Sequence, residues 1–388
     1  MKPFKYILTI LAIAFSLSSM AQVPKCNMKY ANYHIFIPTH LNGKPANVAF
    51  DTGASGFYID STYLAGSGLK FNKIGNAMIG GVGGKKLTKL IFGDVAFDIG
   101  DLHFTPSVTP IIQLKPIISD NADALMGIED IAGKIIFIDF SHRQIGFSTQ
   151  LSSSDIEGYV PIDIQLISNR IYIPITVTVD NKTTISGNIL MDTGSGTSLS
   201  LSSAAANKYN IKNNGEELTF IFGGVGGKSS SFFVNASRLS IGPFALNNLI
   251  SECSTDTQGA LAVNDNSIGL AGNKIWERFD IIIDLKIKKL YLKPNDSFSE
   301  EYTYTPPEIG FFFTDRTQTL GCWVVNGLFK GKRADKAGLM NGDEILSVDG
   351  RDVKTFSKSE QIVFSSSKQP VILNIRRGST SMTISIGN

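Results

Sequence analysis

Short apolar runs separated by polar and glycine-rich breaks dominate this chain of 388 residues. The clearest runs are Tyr33 to Pro38, Ala46 to Phe50, Ile135 to Phe140, Arg170 to Val179 and Ile281 to Leu285. Because they are short and rich in Ile, Val and Phe, these runs predict β-strands. Helical patterns are sparse, and Ser202 to Tyr209 is one short candidate. The pattern therefore predicts a mainly β fold.

The triplet Asp-Thr-Gly occurs twice in the chain, each time directly after an apolar run. Asp51-Thr52-Gly53 follows the run that ends at Phe50, and Asp192-Thr193-Gly194 follows the run that ends at Met191. Each copy places one carboxylate at the end of a predicted strand. The two triplets are therefore candidates for one shared site.

The sequence that follows each triplet is also repeated. The hexapeptide GGVGGK begins at Gly80, 29 positions after the first Asp, and at Gly223, 31 positions after the second. An apolar cluster with a central glycine comes later in each copy, at Leu125 to Ile128 and at Ile268 to Leu270. We interpret the preserved order as an internal duplication, with the two copies related by a pseudo-two-fold axis.

Paired carboxylates of this kind are suited to acid–base chemistry. Two carboxyl groups about 3 Å apart cannot both ionise, so one takes up a proton and the other stays a base. The hydroxyls of Thr52 and Thr193 can cross-link the two loops, and Gly53 and Gly194 allow the backbones to approach closely. The pair titrates as a unit, so the sequence does not assign the acid and the base.

Each GGVGGK lies between two apolar segments, which predicts a β-hairpin with a glycine-rich tip. A tip with few side chains can open and close over a bound ligand, as a flap. The predicted flap residues are Gly80, Gly81, Val82 and Gly83 in the first copy and Gly223, Gly224, Val225 and Gly226 in the second.

With these motifs the chain resembles the retropepsin-like aspartic proteases. The likeness rests on Asp51-Thr52-Gly53-Ala54, on Met78 to Gly84 and on the cluster around Gly127, and it covers roughly residues 28 to 293. It implies duplicated retropepsin-like (acid protease) β-barrel halves in a pseudo-two-fold arrangement on one chain, as in pepsin-type enzymes. It also implies that Asp51 and Asp192 are catalytic and that the substrates are peptides or proteins.

The residues after the two triplets differ, with Ala54-Ser55 in the first copy and Ser195-Gly196 in the second. The two carboxyl groups are therefore expected to have unequal surroundings. The presence of two glycine-rich hairpins, where pepsin-type enzymes have one dominant flap, favours the retropepsin-like geometry.

The end of the chain resembles a PDZ domain, a small α+β fold. The likeness rests on Ala334 to Gly350, where Ala337-Gly338-Leu339, Gly342-Asp343 and Val348-Asp349-Gly350 match the PDZ pattern. Ile309-Gly310-Phe311 stands where PDZ domains bind a peptide carboxylate through backbone amides, and Ser357 to Phe364 is the candidate groove helix. The resemblance implies a C-terminal peptide ligand that adds as a strand.

The first residues are typical of a secretory signal. Lys2 and Lys5 precede the apolar segment Tyr6 to Leu17, and Ser19-Met20-Ala21 matches a cleavage site before Gln22. The apolar segment is too short for a stable membrane anchor. We therefore expect a secreted or periplasmic protein. Without positions 1–21 the chain has 34 basic and 34 acidic residues, which gives no electrostatic basis for binding nucleic acid.

Other chemistry finds little support in the sequence. The histidines His34, His40, His103 and His142 lack metal-ligand spacing to one another or to a cysteine. Gly227-Lys228-Ser229 ends like a phosphate-binding loop, but Phe222 occupies the required first glycine position. We therefore predict no metal and no cofactor. Cys26 and Cys253 could pair in an oxidising compartment, or the three cysteines could all be free.

These observations predict five segments: a signal peptide at 1–21, a first protease half at 22–150, a second at 151–295, a linker at 296–306 and a PDZ domain at 307–388. The leading functional hypothesis is an aspartic endopeptidase whose PDZ module docks a substrate or partner. The alternative is an inactive, secreted peptide-binding protein of the same fold. A glycosidase is a distant third, because its carboxylates lie farther apart.

Overall fold

The computed structural model describes residues 25–81, 84–213, 217–224, 227–262, 266–302 and 306–387. The predicted signal peptide lies outside the described residues, and so do Val82, Gly83, Val225 and Gly226 at the predicted flap tips. Strands make up most of the described elements and the helices are short, which confirms the predicted mainly β fold. No helix in these ranges is long and apolar enough to span a membrane.

The first half contains strands β1 to β13 and helix α1. They are β1 Lys25–Asn27, β2 Lys29–Ala31, β3 His34–Leu41, β4 Lys44–Phe50, β5 Phe57–Asp60, α1 Ser61–Ser67, β6 Ile74–Gly81, β7 Gly84–Phe92, β8 Phe97–Ile99, β9 Leu102–Phe104, β10 Val108–Ile112, β11 Ala124–Met126, β12 Ile135–Asp139 and β13 Gln144–Ser148, with a short 3-10 helix at Glu129–Ile131.

The second half contains strands β14 to β24 and helices α2 and α3. They are β14 Val160–Asp163, β15 Gln165–Ile167, β16 Arg170–Val179, β17 Thr183–Met191, β18 Leu199–Leu201, α2 Ser203–Lys208, β19 Glu217–Gly224, β20 Gly227–Ile241, β21 Phe244–Ser254, β22 Gly269–Ala271, α3 Asn273–Trp276, β23 Phe279–Asp284 and β24 Lys289–Pro294, with a 3-10 helix at Asp296–Ser299.

We call residues 306–387 the C-terminal module. Its elements are β25 Phe311–Arg316, β26 Cys322–Phe329, α4 Arg333–Lys336, β27 Glu344–Val348, β28 Arg351–Asp352, a 3-10 helix at Val353–Thr355, α5 Lys358–Ser365, β29 Val371–Arg377 and β30 Thr380–Ile386. Helix α5 begins with a capping box, in which Ser357 and Glu360 satisfy each other's backbone amides.

The two halves have sheets with the same order of strands. The order is β6-β7-β10-β5-β11-β4-β3 in the first and β19-β20-β21-β18-β22-β17-β16 in the second. The parallel pairs also fall at equivalent places: β4 with β11 and β5 with β10 in the first half, β17 with β22 and β18 with β21 in the second. Strands β4 and β17 end at the two Asp triplets, so both triplets occupy the same position in the sheet.

A third sheet, β1-β13-β12-β23-β24-β14, joins the halves. Strand β12 pairs antiparallel with β23, so that Ile136 lies opposite Ile283 across the boundary. Strands β12 and β13 form the hairpin that closes the first half, and β23 and β24 form the equivalent hairpin of the second. Phe50, Met191 and Trp276 are buried in a single apolar core that runs through both halves, which holds the two Asp triplets in a fixed relation.

Asp60 fixes a loop that lines the same cavity as the two Asp triplets. Its Oδ1 caps helix α1 by accepting the amides of Thr62 and Tyr63, both at 2.8 Å. Its Oδ2 accepts the amides of Leu114 at 2.9 Å and Lys115 at 3.2 Å. The carboxylate is fully buried and bonded on both oxygens, so it orders the segment 114–121, which we call the 114–121 loop.

The C-terminal module has its own core, which includes Phe311, Trp323 and Ile345. It is nevertheless joined to the second half by strand pairing, because β26 runs antiparallel to β19, with Phe329 opposite Leu218. This pairing merges the sheet of the second half with the sheet of the module into one sheet of 14 strands.

The three cysteines are free thiols, so the possible bond between Cys26 and Cys253 is not formed. Burial raises the pKa of Cys253 to about 12, and the thiol therefore stays protonated and packs as an apolar group.

Candidate active site

The two Asp triplets are placed by equivalent backbone bonds. The amide of Asp51 donates to the carbonyl of Met126 at 3.0 Å, and the amide of Asp192 donates to the carbonyl of Ala271 at 3.0 Å. The residue after Met126 is Gly127, so its structural counterpart is Gly272. In the sequence, the repeated apolar clusters pair Gly127 with Gly269 instead. That pairing is wrong by three positions, because the clusters share composition but differ in the order of their apolar residues.

Thr52 and Thr193 lock the two loops together. Thr52 Oγ1 donates to the carbonyl of Met191 at 2.7 Å and accepts the amide of Thr193 at 3.1 Å. Thr193 Oγ1 donates to the carbonyl of Phe50 at 3.0 Å and accepts the amide of Thr52 at 3.0 Å. Both threonines are fully buried. The loops are therefore cross-linked by four hydrogen bonds that obey the two-fold symmetry.

The glycine of each triplet faces the carboxyl group of the other. A Cβ atom on Gly53 would lie 2.6 Å from Cγ of Asp192, and a Cβ atom on Gly194 would collide with the carboxyl of Asp51. Neither glycine has a positive φ. These positions therefore require glycine for space, so that the two carboxyl groups can meet face to face.

The two carboxyl groups differ in their hydrogen bonds. Oδ1 of Asp51 accepts the amides of Gly53 at 2.7 Å and Ala54 at 3.1 Å, whereas Oδ1 of Asp192 accepts the amide of Gly194 at 3.0 Å. Burial raises the pKa of both groups, and the pKa of Asp192 is raised further by repulsion from Asp51 and by the hydrogen bond between the two side chains. The pair therefore favours one shared proton, and the additional amide bonded to Asp51 favours the ionised form on Asp51 and the proton on Asp192.

Two side chains outside the triplets hold the glycine carbonyls. Nε of Arg170 donates to the carbonyl of Gly53 at 2.8 Å. On the opposite side, Nε2 of His34 lies 3.1 Å from the carbonyl of Gly194. Each side chain comes from one half and contacts the triplet of the other half. Arg170 also places a positive charge beside the pair, which acts to lower the pKa of both carboxyls against the larger effect of burial.

His34 and Arg170 occupy equivalent positions in the two halves. His34 begins His-Ile-Phe-Ile-Pro on β3, and Arg170 begins Arg-Ile-Tyr-Ile-Pro on β16. The repeated motifs do not include this pair, although the shared Ile-aromatic-Ile-Pro context was a usable signal. Burial lowers the pKa of His34, so the half containing His34 supplies a neutral ring where the other half supplies a cation.

Asn273 is a further site residue, to which no sequence motif pointed. It is fully buried at the start of α3, and its Nδ2 donates to the carbonyls of Thr193 at 2.6 Å and Tyr33 at 2.7 Å. It therefore ties the second triplet to the first half, close to His34.

A large cavity of about 2170 Å³ lies over the two carboxyls. Ile79, Gly80 and Lys85 line it from the first hairpin, β6–β7, whose tip pairs Gly81 with Gly84. The second hairpin, β19–β20, reaches its tip at the pair Gly224 and Gly227, and Gly223 precedes this pair on β19. The predicted flap residues that the structure describes therefore lie in or next to hairpin tips. The first hairpin lines the same cavity as the carboxyls of Asp51 and Asp192, which we call the dyad.

The same cavity extends to the C-terminal module, between β25 and α5. Its lining there includes Phe312, Thr314, Gln361 and Ile362. In the loop that precedes β25, the amide of Ile309 donates to the carbonyl of Ser365 at 3.2 Å, and the amide of Gly310 donates to the carbonyl of Pro307 at 2.8 Å. Two of the three amides predicted to bind a peptide carboxylate, in Ile309, Gly310 and Phe311, are therefore already bonded within the protein. Binding of a carboxylate there stays a prediction.

Two segments of the chain match protein-family models. Residues 175–268 match a family model described as aspartyl protease, and residues 314–376 match one described as PDZ domain. No curated protein matches the chain. Among solved structures, the aspartic proteinase from Irpex lacteus is similar, with 11% sequence identity and a TM-score of 0.46 over 73% of this chain and 100% of that chain.

The chain thus contains a segment that matches the aspartyl protease model, followed by a segment that matches the PDZ model, in the order that the sequence resemblances predicted. The first match contains Asp192 and the hairpin β19–β20, and the second contains most of the C-terminal module. A PDZ domain implies peptide binding, because such domains accept an extended peptide as an added strand.

Proposed function

We propose that this protein is an aspartic endopeptidase that hydrolyses peptide bonds at Asp51 and Asp192. The observation that carries the proposal is the pair of half-buried carboxyls, hydrogen-bonded to each other on cross-linked loops and lining a large cavity. An inactive binding protein has no need for two carboxyl groups whose burial opposes ionisation. The geometry therefore favours catalysis over the alternative of peptide binding alone.

In the proposed reaction Asp51 is the base and Asp192 the acid. Asp51 takes a proton from a water molecule as the water oxygen bonds to the scissile carbonyl carbon, and Asp192 gives its proton to the carbonyl oxygen. A tetrahedral diol forms. The proton on Asp51 then passes to the amide nitrogen as the carbon–nitrogen bond breaks, and one diol hydroxyl returns its proton to Asp192. The dyad ends in its starting state.

The proposed flaps would close over the bound peptide. The hairpin β6–β7 lines the dyad's cavity, and Met78 and Leu87 pair across it as exposed apolar side chains. Closure of such a hairpin excludes water from the reacting bond and strengthens the electrostatic interactions inside the site.

The experiment that tests the function is cleavage of a denatured protein mixture at acid and neutral pH, with and without pepstatin. Pepstatin-sensitive cleavage is the expected result. Intact substrate under all conditions, with tight binding of peptides, would instead support the inactive binding protein.

We also propose that the protein is exported. The proposal rests on Lys2 and Lys5, the apolar segment that follows and the Ser19-Met20-Ala21 cleavage site. The mature chain recovered from the medium or periplasm is expected to begin at Gln22, which N-terminal sequencing would establish. An intact chain that stays in the cytoplasm would contradict the proposal.

Replacement of Arg170 by Met is expected to shift the pH profile of kcat/KM to higher pH on both limbs. The positive charge of Arg170 favours the ionised carboxyls, so its removal raises the pKa of Asp51 and Asp192. The base then becomes ionised only at higher pH, and the acid keeps its proton to higher pH. Cleavage of a fluorogenic peptide across the pH range measures the shift.

Two further variants separate charge from structure in this test. Arg170→Lys keeps the charge and is expected to keep the pH profile near that of the parent, whatever its rate. Arg238→Met removes an exposed arginine from β20 and is expected to change nothing. An unchanged profile in Arg170→Met would show that Arg170 does not tune the dyad.

A further inference from the structure

The cavity that contains the dyad and the groove of the C-terminal module are one continuous space. The carboxyls of Asp51 and Asp192 line one part of it, and Phe312 of β25 and Ile362 of α5 line another. Its volume of about 2170 Å³ is at least twice that of an ordinary small-molecule pocket, at roughly 300–1,000 Å³. A space of this size and shape suits an extended polypeptide.

The module is held against both sides of the cleft, so the continuity is built into the fold. On the second half, β26 pairs with β19, the amide of Lys330 donates to the carbonyl of Glu217 at 2.8 Å, and Nδ2 of Asn341 donates to the carbonyl of Thr219 at 2.6 Å.

On the first half, the buried side chain of Arg316 forms an ion pair with Asp120 and donates to the carbonyl of Lys115. Both partners belong to the 114–121 loop, which Asp60 anchors and which lines the cavity. The module therefore bridges the two halves beside the dyad.

The groove offers a strand edge and an apolar wall. Within the described ranges, β25 pairs with β26 alone, so its second edge is open to an added strand. On α5, the side chain of Ile362 is 68% exposed. An extended segment with an apolar side chain would cover Ile362 and bond to the free edge of β25.

The loop before β25 is poorly suited to a chain terminus. The amides of Ile309 and Gly310 are already bonded, and the exposed carboxylate of Glu308, which precedes them, is paired with Lys368. A peptide carboxylate at this loop would therefore find few free amide donors. The occupant that fits is the interior of a chain.

We propose that the groove is a second substrate-binding site that recognises an extended, apolar, internal segment of the same polypeptide whose scissile bond lies at the dyad. The inference rests on the proposed protease function and defines the substrate class as unfolded or extended chains long enough to reach from the dyad to the groove. Binding at two linked sites raises the affinity because the second contact becomes intramolecular.

The test compares a short fluorogenic peptide with versions extended at either end by linkers of graded length and an apolar, β-forming tail. The tails are amidated, so that they carry no terminal carboxylate. For at least one direction and linker length, we expect KM for the full-length protein to fall about tenfold or more, with little change in kcat. Ile362→Arg is expected to remove this gain, measured as the ratio of extended to short peptide.

Ile372→Arg is the matched control, because Ile372 is 49% exposed on β29 and does not line the cavity. It is expected to keep the full gain. No gain at any length or direction would overturn the inference, and so would a gain that requires a free carboxylate, since that would indicate capture of a terminus.

Binding to Asp192→Asn separates this inference from the proposed function. Fluorescence anisotropy is expected to show tighter binding of the extended amidated peptide than of the short peptide or the tail alone. Tighter binding without cleavage by the parent protein would support the groove and refute the protease. Cleavage of the short peptide without any benefit from the tail would support the protease and refute the groove.

Discussion

Asp192→Asn is expected to lower kcat/KM for peptide cleavage by about 1000-fold or more. The amide cannot give a proton to the scissile carbonyl oxygen, so the developing negative charge on that oxygen is left without its acid. Asp51→Asn is expected to cost as much, because an amide cannot take a proton from water. Initial rates on one fluorogenic peptide measure both effects.

The Asp192→Asn variant is expected to lose activity while it stays folded. Burial raises the pKa of Asp192, so its ionised form destabilises the fold as the pH rises through that raised pKa. The neutral amide of the Asp192→Asn variant removes this cost, and the melting temperature at neutral pH is expected to stay equal or rise. Asp163→Asn changes a carboxyl group that is 85% exposed and serves as the control with full activity. Activity within tenfold of the parent in either dyad variant would refute the two-carboxyl mechanism.

Gly53→Ala is expected to lower kcat/KM by about 100-fold or more and to destabilise the fold by about 1–3 kcal/mol. The added Cβ would lie 2.6 Å from Cγ of Asp192, inside any normal contact distance, so the two carboxyls must move apart. Peptide cleavage and urea unfolding measure the two effects. Gly194→Ala creates the equivalent collision with Asp51 and is expected to behave in the same way.

Gly66→Ala provides the same chemical change at a site with no collision. Gly66 lies in helix α1, and a Cβ atom there meets nothing within 4 Å. This variant is expected to keep full activity and to gain stability, because alanine favours a helix over glycine by about 0.5–1 kcal/mol. Parent-like activity in Gly53→Ala would mean that the two carboxyl groups need not face each other.

The sequence was sufficient to predict the parts of the fold that depend on local pattern. The two Asp-Thr-Gly triplets, the hairpins that bear GGVGGK and the signature from Ala334 to Gly350 are contiguous, so their types and order can be read without knowing what packs against them. The mainly β fold and the PDZ domain were predicted in this way.

Residues whose role depends on their position in the fold, rather than on a repeated motif, were harder to find. His34 and Arg170 make the same contact in the two halves but are chemically different, so a search for identical repeats passes over them. Asn273 is reached only after α3 folds back on the second triplet. The mispairing of Gly127 with Gly269 has the same origin, because an apolar cluster fixes its register only through the strand beside it.

The attachment of the C-terminal module could not be predicted from sequence. Pairing between β19 and β26 uses backbone groups, which every residue except proline supplies, and the ion pair between Arg316 and Asp120 joins positions far apart in the chain. The sequence indicated a linker at 296–306 and hence a separate domain on each side of it. Only the folded chain reveals how closely the C-terminal module approaches the dyad.

The pairing of β19 with β26 also prevents self-association of the second half through the edge of β19. Strand β19 is the last strand of the second half's own sheet, and its far side would otherwise present unpaired amides and carbonyls to any other extended chain. Exposed edges of this kind are templates for self-association. The module therefore acts as an edge cover, and a chain that lost it would gain a surface prone to aggregation as well as losing a domain.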